Sequence, residues 1–175
     1  QQALSYYKTY DFAFYELMKE QEDKTIALLN IEREVKRPRK DLASYADIKQ
    51  EFQNFYDEIF LQEEPDVAYR GLSDNKNYDA SLLEQYLEIY QVEDDKETWM
   101  ERIKELAFQN GYAKEVKLFK ENPDQYKGHV GDICETIRAC VTGRTMSPDL
   151  YEILKVLGKD SLKNRVEHFK RYLNQ

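Results

Sequence analysis

Residues 130–158, with the sequence VGDICETIRACVTGRTMSPDLYEILKVLG, decide the fold of this chain. Apolar residues recur there every three or four positions, which is the spacing of one face of an α-helix. Gly143 and Gly158 favour helix ends, because glycine readily adopts the left-handed conformation that often follows a helix. Between them, Ser147 followed by Pro148 is typical of a helix start, with serine as the cap and proline at the first helical position. The stretch therefore predicts two helices joined by a short turn.

The same helical spacing continues along the rest of the chain, and no alternation typical of β-strands occurs. Helix starts are predicted at Ser44 and at two capping boxes that begin at Ser81 and Thr98. The expected apolar stripes of the first part are Tyr10, Phe14 and Leu17, then Leu28, Ile31 and Val35, then Ile48, Phe52, Phe55 and Ile59. Pro65 and the polar residues 71–77 indicate a linker. The sequence thus predicts an all-α fold of two consecutive small helical bundles, residues 1–75 and 76–175.

The charge of the chain is unevenly distributed. The 175 residues carry 26 Lys and Arg against 34 Asp and Glu, a formal net charge of −8. The acidic excess lies in the first hundred residues, although Lys36, Arg37, Arg39 and Lys40 form a local basic cluster there. Such a cluster on an acidic body favours specific contact with phosphates or bases over general adhesion to nucleic acid. The alternative interpretation is a solvated charged surface.

No feature of the sequence predicts a membrane protein or a secreted one. No apolar run approaches the roughly 20 residues that a membrane helix needs. The first residues form neither a basic leader nor an apolar stretch, and the lack of an initiating Met makes a fragment the expectation. Cys134 and Cys140 lie too far apart on one helix to form a disulfide, so they are predicted to be reduced thiols of a cytoplasmic protein.

Catalytic chemistry is not expected in this chain. His129 and His168 stand far apart in sequence and outside any arrangement that would form a nucleophilic centre or a zinc site. Gly143-Arg144-Thr145 lacks the flanking glycines of a phosphate-binding loop. The sequence therefore predicts no catalytic residue, no metal ligand and no bound cofactor. Exposed aromatic side chains beside arginine suit the stacking of unpaired RNA bases.

Residues 137–159 closely resemble the C-terminal segment of bacterial glutamyl-tRNA synthetases. The similarity lies in the run IRACVTGRTMSPDLYEIL at 137–154 and in Leu157-Gly158-Lys159. Residues 31–42, IEREVKRPRKDL, resemble a second segment of the family, so the match spans nearly the whole chain. The resemblance implies an α-helical cage that binds the anticodon, in a class I enzyme that attaches glutamate to tRNA using ATP and Mg²⁺. The nucleotide-binding signatures of that enzyme's catalytic domain do not occur in this sequence.

The resemblance also implies roles for five residues. Arg39 would read the first anticodon base and Arg138 would contact the middle base, while Ser147, Pro148 and Leu150 would form the pocket for the last two bases. The planar donors of arginine suit base edges and phosphates, and the free N–H groups of the helix start would face whatever binds there. Without the resemblance, Arg138 is more typical of an exposed helix residue and the Ser147-Pro148 pair of a plain cap.

The partners implied by the resemblance are tRNA, expected to be tRNA for glutamate, and the enzyme's own N-terminal catalytic domain, in a cytoplasmic monomer. Two alternatives stay open. One is the related helical cage of class I lysyl-tRNA synthetases, which reads a different anticodon. The other is a helical protein-interaction scaffold whose acidic first half docks a basic partner. The sequence does not decide whether the parent enzyme distinguishes tRNA for glutamate from tRNA for glutamine.

Overall fold

The computed structural model describes residues 1–33, 45–72 and 77–174. Within these ranges no β-strand occurs, apart from an isolated parallel bridge between Ala113 and His129. The α-helices are α1 (Gln2–Tyr10), α2 (Phe12–Glu20), α3 (Glu22–Arg33), α4 (Tyr45–Phe52), α5 (Asp57–Phe60), α6 (Pro65–Ala68), α7 (Ala80–Ile89), α8 (Lys96–Gln109), α9 (Val116–Glu121), α10 (Val130–Thr142) and α11 (Leu150–Leu173). Short 3₁₀-helices cover Gln53–Phe55 and Pro123–Gln125. The all-α prediction is confirmed. The described helices include none that is both long enough and apolar enough to cross a membrane.

The chain divides into two compact units, residues 1–60 and 61–175. The structure therefore places the division earlier than the boundary after residue 75 that the polar linker suggested. Residues 61–72 pack within the second unit because Tyr69 is fully buried there, with its ring 4.8 Å from the ring of Phe169. The Tyr69 hydroxyl also donates to the carbonyl of Cys140 at 3.0 Å. Residues 73–76 of the expected linker lie outside the described residues.

The first unit is built around aromatic side chains. Tyr7 and Phe14 meet edge to face at 4.9 Å, and Phe14 meets Tyr56 in the same way at 5.8 Å. Each such pair contributes about 0.5–1.5 kcal/mol beyond its burial. Thr25 adds the polar contact of this core, since its hydroxyl lies 2.7 Å from the hydroxyl of Tyr56 and donates to the carbonyl of Met18 at 3.0 Å.

The predicted stripe of Tyr10, Phe14 and Leu17 is wrong as one continuous helix face. Asp11 ends α1 and caps α2, because its carboxylate accepts a hydrogen bond from the backbone N–H of Phe14 at 3.1 Å. The break leaves Tyr10 outside the core, with 74% of its surface exposed. A hydrogen bond from Lys49 holds the pKa of the Asp11 carboxyl below its usual value, so this cap stays ionised near neutral pH.

The stripe expected over Ile48, Phe52, Phe55 and Ile59 is also divided, here among α4, a 3₁₀-turn and α5. Phe52 and Phe55 are buried as predicted, whereas Ile48 and Ile59 stay partly exposed. The turn rotates the chain, so that Tyr56 and Phe60 take the buried positions that follow. Two other predictions for this unit, Val35 as a stripe residue and Ser44 as a cap, lie outside the described residues.

The second unit packs α7, α8, α10 and α11 together, with α6 against α11. Its fully buried apolar side chains include Leu83, Ile103, Ile137, Ile153, Leu154 and Leu162. The glycine predictions are confirmed: Gly143 has a φ of 70° at the end of α10, and Gly158 has a φ of 78° where α11 breaks its helical conformation. A side chain at either residue would strain the backbone.

The predicted capping boxes at Ser81 and Thr98 are wrong, because an aspartate precedes each helix and takes the cap. The Asp79 carboxylate accepts from the N–H of Ser81 at 2.9 Å, and the Asp95 carboxylate accepts from the N–H of Thr98 at 2.7 Å. An ionised carboxylate at a helix start is favoured both as a hydrogen-bond acceptor and by the helix dipole. The sequence pattern of a capping box alone did not reveal which residue occupies the cap.

Two ionisable side chains of α11, Arg165 and His168, are completely buried in the second unit. Arg165 donates from Nη1 to the carbonyl of Val141 at 2.6 Å and from Nε to the hydroxyl of Ser161 at 3.1 Å. His168 donates from Nε2 to the carbonyl of Glu63 at 2.9 Å. Burial lowers the pKa of His168, and the nearby charges of Arg165 and Arg171 act in the same direction. His168 is therefore neutral in the folded chain at neutral pH.

We expect His168 to make the second unit less stable in mild acid. Because the folded-state pKa of His168 lies below the unfolded value of about 6.5, the unfolded chain takes up a proton first as the pH falls. The contribution of neutral His168 to the free energy of unfolding is complete above about pH 6.5. It is lost as the pH falls towards the folded-state pKa, with a slope of at most about 1.4 kcal/mol per pH unit.

Denaturant unfolding followed by the fluorescence of Trp99, the single tryptophan, measures this effect between about pH 7.5 and about pH 5. The variant His168→Gln keeps an amide donor for the Glu63 carbonyl but does not titrate. The difference in unfolding free energy between the native chain and this variant should therefore change below about pH 6.5. A constant difference over the whole range would contradict the prediction.

Candidate functional site

The turn between α10 and α11, residues 143–149, carries the candidate site. Its first residues are fixed by the hydroxyl of Thr142, which donates to the carbonyl of Arg138 at 2.8 Å and accepts from the N–H of Arg144 at 3.1 Å. Gly71 lies directly against this turn, since a Cβ built on it would stand 3.1 Å from the carbonyl oxygen of Gly143. The turn thus leaves α10 in a defined direction and folds back beside it.

Arg138 and Ser147 meet where the turn runs back along α10. The Nε–H of Arg138 donates to Ser147 Oγ at 2.9 Å, and Ser147 Oγ donates to the carbonyl of Pro148 at 2.8 Å. Both side chains are partly exposed. An arginine side chain has five N–H donors, of which this contact uses the one on Nε. The Nη1 and Nη2 groups have no hydrogen-bond or ion-pair partner in the part of the chain that the structure describes.

The other residues that the sequence analysis assigned to the site are placed differently. Pro148 and Leu150 are buried, with only 4% of Leu150 exposed, so they support the turn from beneath and offer little surface to a ligand. Arg39 lies outside the described residues. The structure therefore brings Arg138, Ser147, Pro148 and Leu150 into one region of the second unit.

The helix start predicted at Ser147 is wrong by two residues. Asp149 caps α11, which begins at Leu150, and its carboxylate accepts from the N–H of Glu152 at 3.2 Å. Asp149 also pairs with Lys96. Because a carboxylate already occupies the positive end of this helix, the free N–H groups there are less suited to a phosphate than expected. The serine hydroxyl is left available for Arg138.

The part of the turn that precedes Ser147 is open to solvent. Thr145 is exposed, and Met146 has 76% of its surface open to solvent. Arg144 is partly exposed beside them. The thioether of Met146 and the guanidinium of Arg144 belong to the same turn as Ser147, and groups of these two kinds suit flat aromatic rings with polar edges. This arrangement of donors and apolar surface is consistent with base recognition.

Beneath the turn, a hydrogen-bonded aromatic layer fixes the start of α11. The hydroxyl of Tyr151 donates to the carbonyl of Asp94 at 2.7 Å, and its ring lies 5.6 Å from that of Trp99. The indole N–H of Trp99 donates to the hydroxyl of Tyr86 at 2.9 Å. Burial raises the pKa of Tyr90 in the same layer to about 12, with Tyr151 adding to this rise. Tyr90 is therefore uncharged near neutral pH.

No metal centre accompanies the candidate site: in residues 1–33, 45–72 and 77–174, no three His, Cys, Asp or Glu side chains group so as to hold a metal ion. Cys134 and Cys140 are free thiols. Burial raises the pKa of Cys134, although the charge of Arg138, one helical turn away, opposes this shift. Both thiols are therefore protonated near neutral pH and are poor metal ligands and nucleophiles.

Comparison with known proteins decides the family of the chain. A family model described as the anticodon binding domain matches residues 13–170, which include most of each unit. The chain belongs to the anticodon-binding domain family. Within this anticodon-binding domain, the turn that holds Arg138 and Ser147 lies inside the matched range. No solved structure gave a significant match.

The relatives of this anticodon-binding domain include several glutamate–tRNA ligases. The ligase of Acetivibrio thermocellus is 37% identical over 166 residues, which are 94% of this chain and 29% of the relative. Those of Clostridium perfringens strain SM101 and Sorangium cellulosum are each 33% identical, over 93% and 96% of this chain and 29% of each relative. The chain thus spans less than a third of the length of these relatives. The resemblance to the anticodon-binding region of glutamyl-tRNA synthetases is confirmed.

Sequence reasoning missed two residues that shape the site of this domain. The predicted cap is Ser147, whereas Asp149 is the cap in the structure, and Thr142 organises the turn through its hydroxyl. The position of Thr142 directly before Gly143 contained a usable signal, because a hydroxyl at the end of a helix can bond to the backbone of the following turn. The preference of an ionised aspartate for the cap was the second signal.

Proposed function

We propose that this chain binds the anticodon of tRNA for glutamate as part of a glutamate–tRNA ligase. The observation that supports this most is the fixed, partly exposed guanidinium of Arg138, held by Ser147 on a surface turn of an anticodon-binding domain. Arginine donates two parallel hydrogen bonds to a base edge, which gives geometric selectivity as well as binding energy. In the proposal, Arg138 contacts the middle anticodon base.

The remaining assignments complete the proposal. Ser147, Pro148 and Leu150 form the pocket for the last two bases, with the partly exposed Ser147 at its surface and the buried Pro148 and Leu150 supporting it, and Arg39 reads the first base. The first unit and the second unit act as consecutive anticodon-binding subdomains. The catalytic part of the parent ligase lies outside this chain and uses ATP and Mg²⁺ to attach glutamate. We further propose that this enzyme is cytoplasmic, which its free thiols favour, and that it is a monomer.

Fluorescence anisotropy with a glutamate anticodon hairpin tests the proposal. The native chain is titrated with this hairpin and with hairpins in which one anticodon base is changed, at two salt concentrations. We expect binding to depend on the anticodon bases and only in part on salt. Binding that ignores the bases and disappears with salt would reveal phosphate contact alone and contradict the proposal. A preference for a lysine anticodon hairpin, or the absence of binding, would also contradict it.

The variant Arg138→Ala is expected to weaken binding of the cognate hairpin by about 1–3 kcal/mol, because it removes a bidentate contact to a base. The loss should nearly vanish against a hairpin that is already changed at the middle base. The melting temperature should hardly change, since Arg138 is partly exposed. Arg171→Ala removes an exposed cation of α11 and serves as the charge-matched control. An equal loss in both variants would indicate nothing more than general attraction to RNA.

Arg39→Ala provides the second arm of the same experiment. We expect a loss of similar size, about 1–3 kcal/mol, that disappears when the first anticodon base is changed instead of the middle one. Loss of binding that is independent of the changed base would assign Arg39 to the phosphate backbone.

A further inference from the structure

We infer that Ser147 acts by positioning the Arg138 guanidinium for RNA and does not itself donate a hydrogen bond to a base. This inference rests on the proposed function and adds a mechanism to it. Ser147 has one hydroxyl hydrogen, and that hydrogen is already donated to the carbonyl of Pro148 at 2.8 Å. One of its lone pairs accepts from Nε of Arg138 at 2.9 Å. The only donor of the hydroxyl and one of its two lone pairs are therefore in use before any RNA binds.

The hydrogen bond to Nε sets the direction of the whole guanidinium plane. The group is rigid and planar, so fixing Nε leaves Nη1 and Nη2 pointing together as a two-donor fork. Fixing a long side chain in advance lowers the conformational entropy that binding must remove. An arginine held in this way can meet the edge of a base without first searching its rotamers.

The turn that carries Ser147 is fixed at both of its ends. Thr142 fixes the beginning of the turn through the N–H of Arg144, and Asp149 fixes its end by capping α11. Pro148, directly after Ser147, is buried and has a restricted backbone. The carbonyl that receives the serine hydrogen therefore has a fixed position, and so does the hydroxyl. Two consecutive hydrogen bonds therefore link the backbone of Pro148 through the Ser147 hydroxyl to the guanidinium of Arg138.

The first test needs no RNA. The Nε–H signal of Arg138 in a ¹H–¹⁵N spectrum is assigned by its loss in Arg138→Lys, which has no Nε–H of this kind. Ser147→Ala should shift this signal and make its exchange with water faster. Ser147→Thr keeps the hydroxyl and should preserve the signal, and Thr145→Ala, which deletes an exposed hydroxyl from the same turn, should leave it unchanged. An unchanged Nε–H signal in Ser147→Ala would overturn the inference.

The second test measures binding of the glutamate anticodon hairpin in a double-mutant cycle. Ser147→Ala should weaken binding about fivefold, the size expected when the Arg138 side chain must be ordered during binding instead of before it. In the Arg138→Ala background, the same change should alter binding by less than about twofold. Ser147→Thr should restore native affinity, and Thr145→Ala should not affect it.

The outcomes separate this inference from the proposed function. If Ser147→Ala weakens binding equally with and without Arg138, the serine contacts RNA directly and the positioning role is wrong. If Arg138→Ala has no effect on binding while Ser147→Ala still alters the Nε–H signal, the contact exists but the proposed function of Arg138 fails. Melting temperatures of all variants should agree closely, and a large drop in Ser147→Ala would assign the residue to stability and overturn the inference.

Discussion

Replacing Arg165 with alanine is expected to lower the free energy of unfolding of the second unit by about 3–5 kcal/mol. Arg165 is completely buried, and its Nη1 donates to the carbonyl of Val141 in the last turn of α10. A cation at the carboxyl end of a helix is favoured by the helix dipole. The substitution leaves a cavity, an unpaired buried carbonyl and a Ser161 hydroxyl that has lost its donor.

Denaturant unfolding followed by Trp99 fluorescence measures this loss, because Trp99 lies in α8 of the same unit. Lys163→Ala removes an exposed cationic side chain from the same helix and is the matched control. It should change the free energy of unfolding by less than about 0.5 kcal/mol. Arg165→Lys keeps the charge but lacks Nε, so it should also be strongly destabilised. A loss in Arg165→Ala as small as that of the control would show that the buried arginine is not needed for stability.

Replacing Tyr69 with alanine is expected to cost about 3–5 kcal/mol in the same unit. The ring is fully buried against Phe169 and Tyr172, at 4.8 Å and 5.1 Å between ring centres, and its hydroxyl bonds to the Cys140 carbonyl. Tyr69→Phe keeps the ring and loses only the hydrogen bond, so it should cost about 1 kcal/mol. Burial raises the pKa of Tyr69, which therefore stays neutral and needs this partner.

The same variant tests where the chain divides. If residues 61–72 belong to the second unit, Tyr69→Ala lowers the midpoint of the unfolding transition reported by Trp99. If residues 61–72 instead packed with the first unit, the loss would fall on that unit and the Trp99 transition would stay unchanged. Tyr10→Ala, in which the ring is 74% exposed, is the control and should alter neither transition by more than about 0.5 kcal/mol.

The two substitutions should not be additive. Tyr69 and Arg165 bond to the carbonyls of neighbouring residues, Cys140 and Val141, at the end of α10. Removing either side chain leaves the same end of α10 less well held, so part of the loss in unfolding free energy is common to both substitutions. The double variant should therefore be more stable than the sum of the single losses predicts. This shared helix end directly precedes the turn that carries Ser147.

Local sequence chemistry predicted the helices of this protein better than their ends. Helical spacing depends only on residues three or four positions apart, and a glycine affects the conformation of its own backbone. The helices and the breaks at Gly143 and Gly158 could therefore be predicted from the sequence. The caps were misjudged because Ser81, Thr98 and Ser147 compete with nearby aspartates. Which acceptor reaches the free N–H groups depends on the backbone conformation before the helix.

The candidate site shows the same division. The resemblance brought Arg138, Ser147, Pro148 and Leu150 together, and the structure places them in one region of the second unit. The resemblance did not distinguish the partly exposed Arg138 and Ser147 from the buried Pro148 and Leu150, because burial depends on which residues pack against a side chain. The hydrogen bond from Arg138 to Ser147 joins residues nine positions apart across a turn. Its existence depends on the path of that turn.

The sequence by itself determined the all-α class, the breaks at Gly143 and Gly158, and the likeness to the anticodon-binding region of glutamyl-tRNA synthetases. These follow from residue types and short spacings, which act before the chain folds. Only the tertiary structure decided that residues 61–72 join the second unit, that Arg165 and His168 lie in its core, and that Ser147 holds Arg138. Each of these depends on contacts between distant residues, which short-range patterns do not encode.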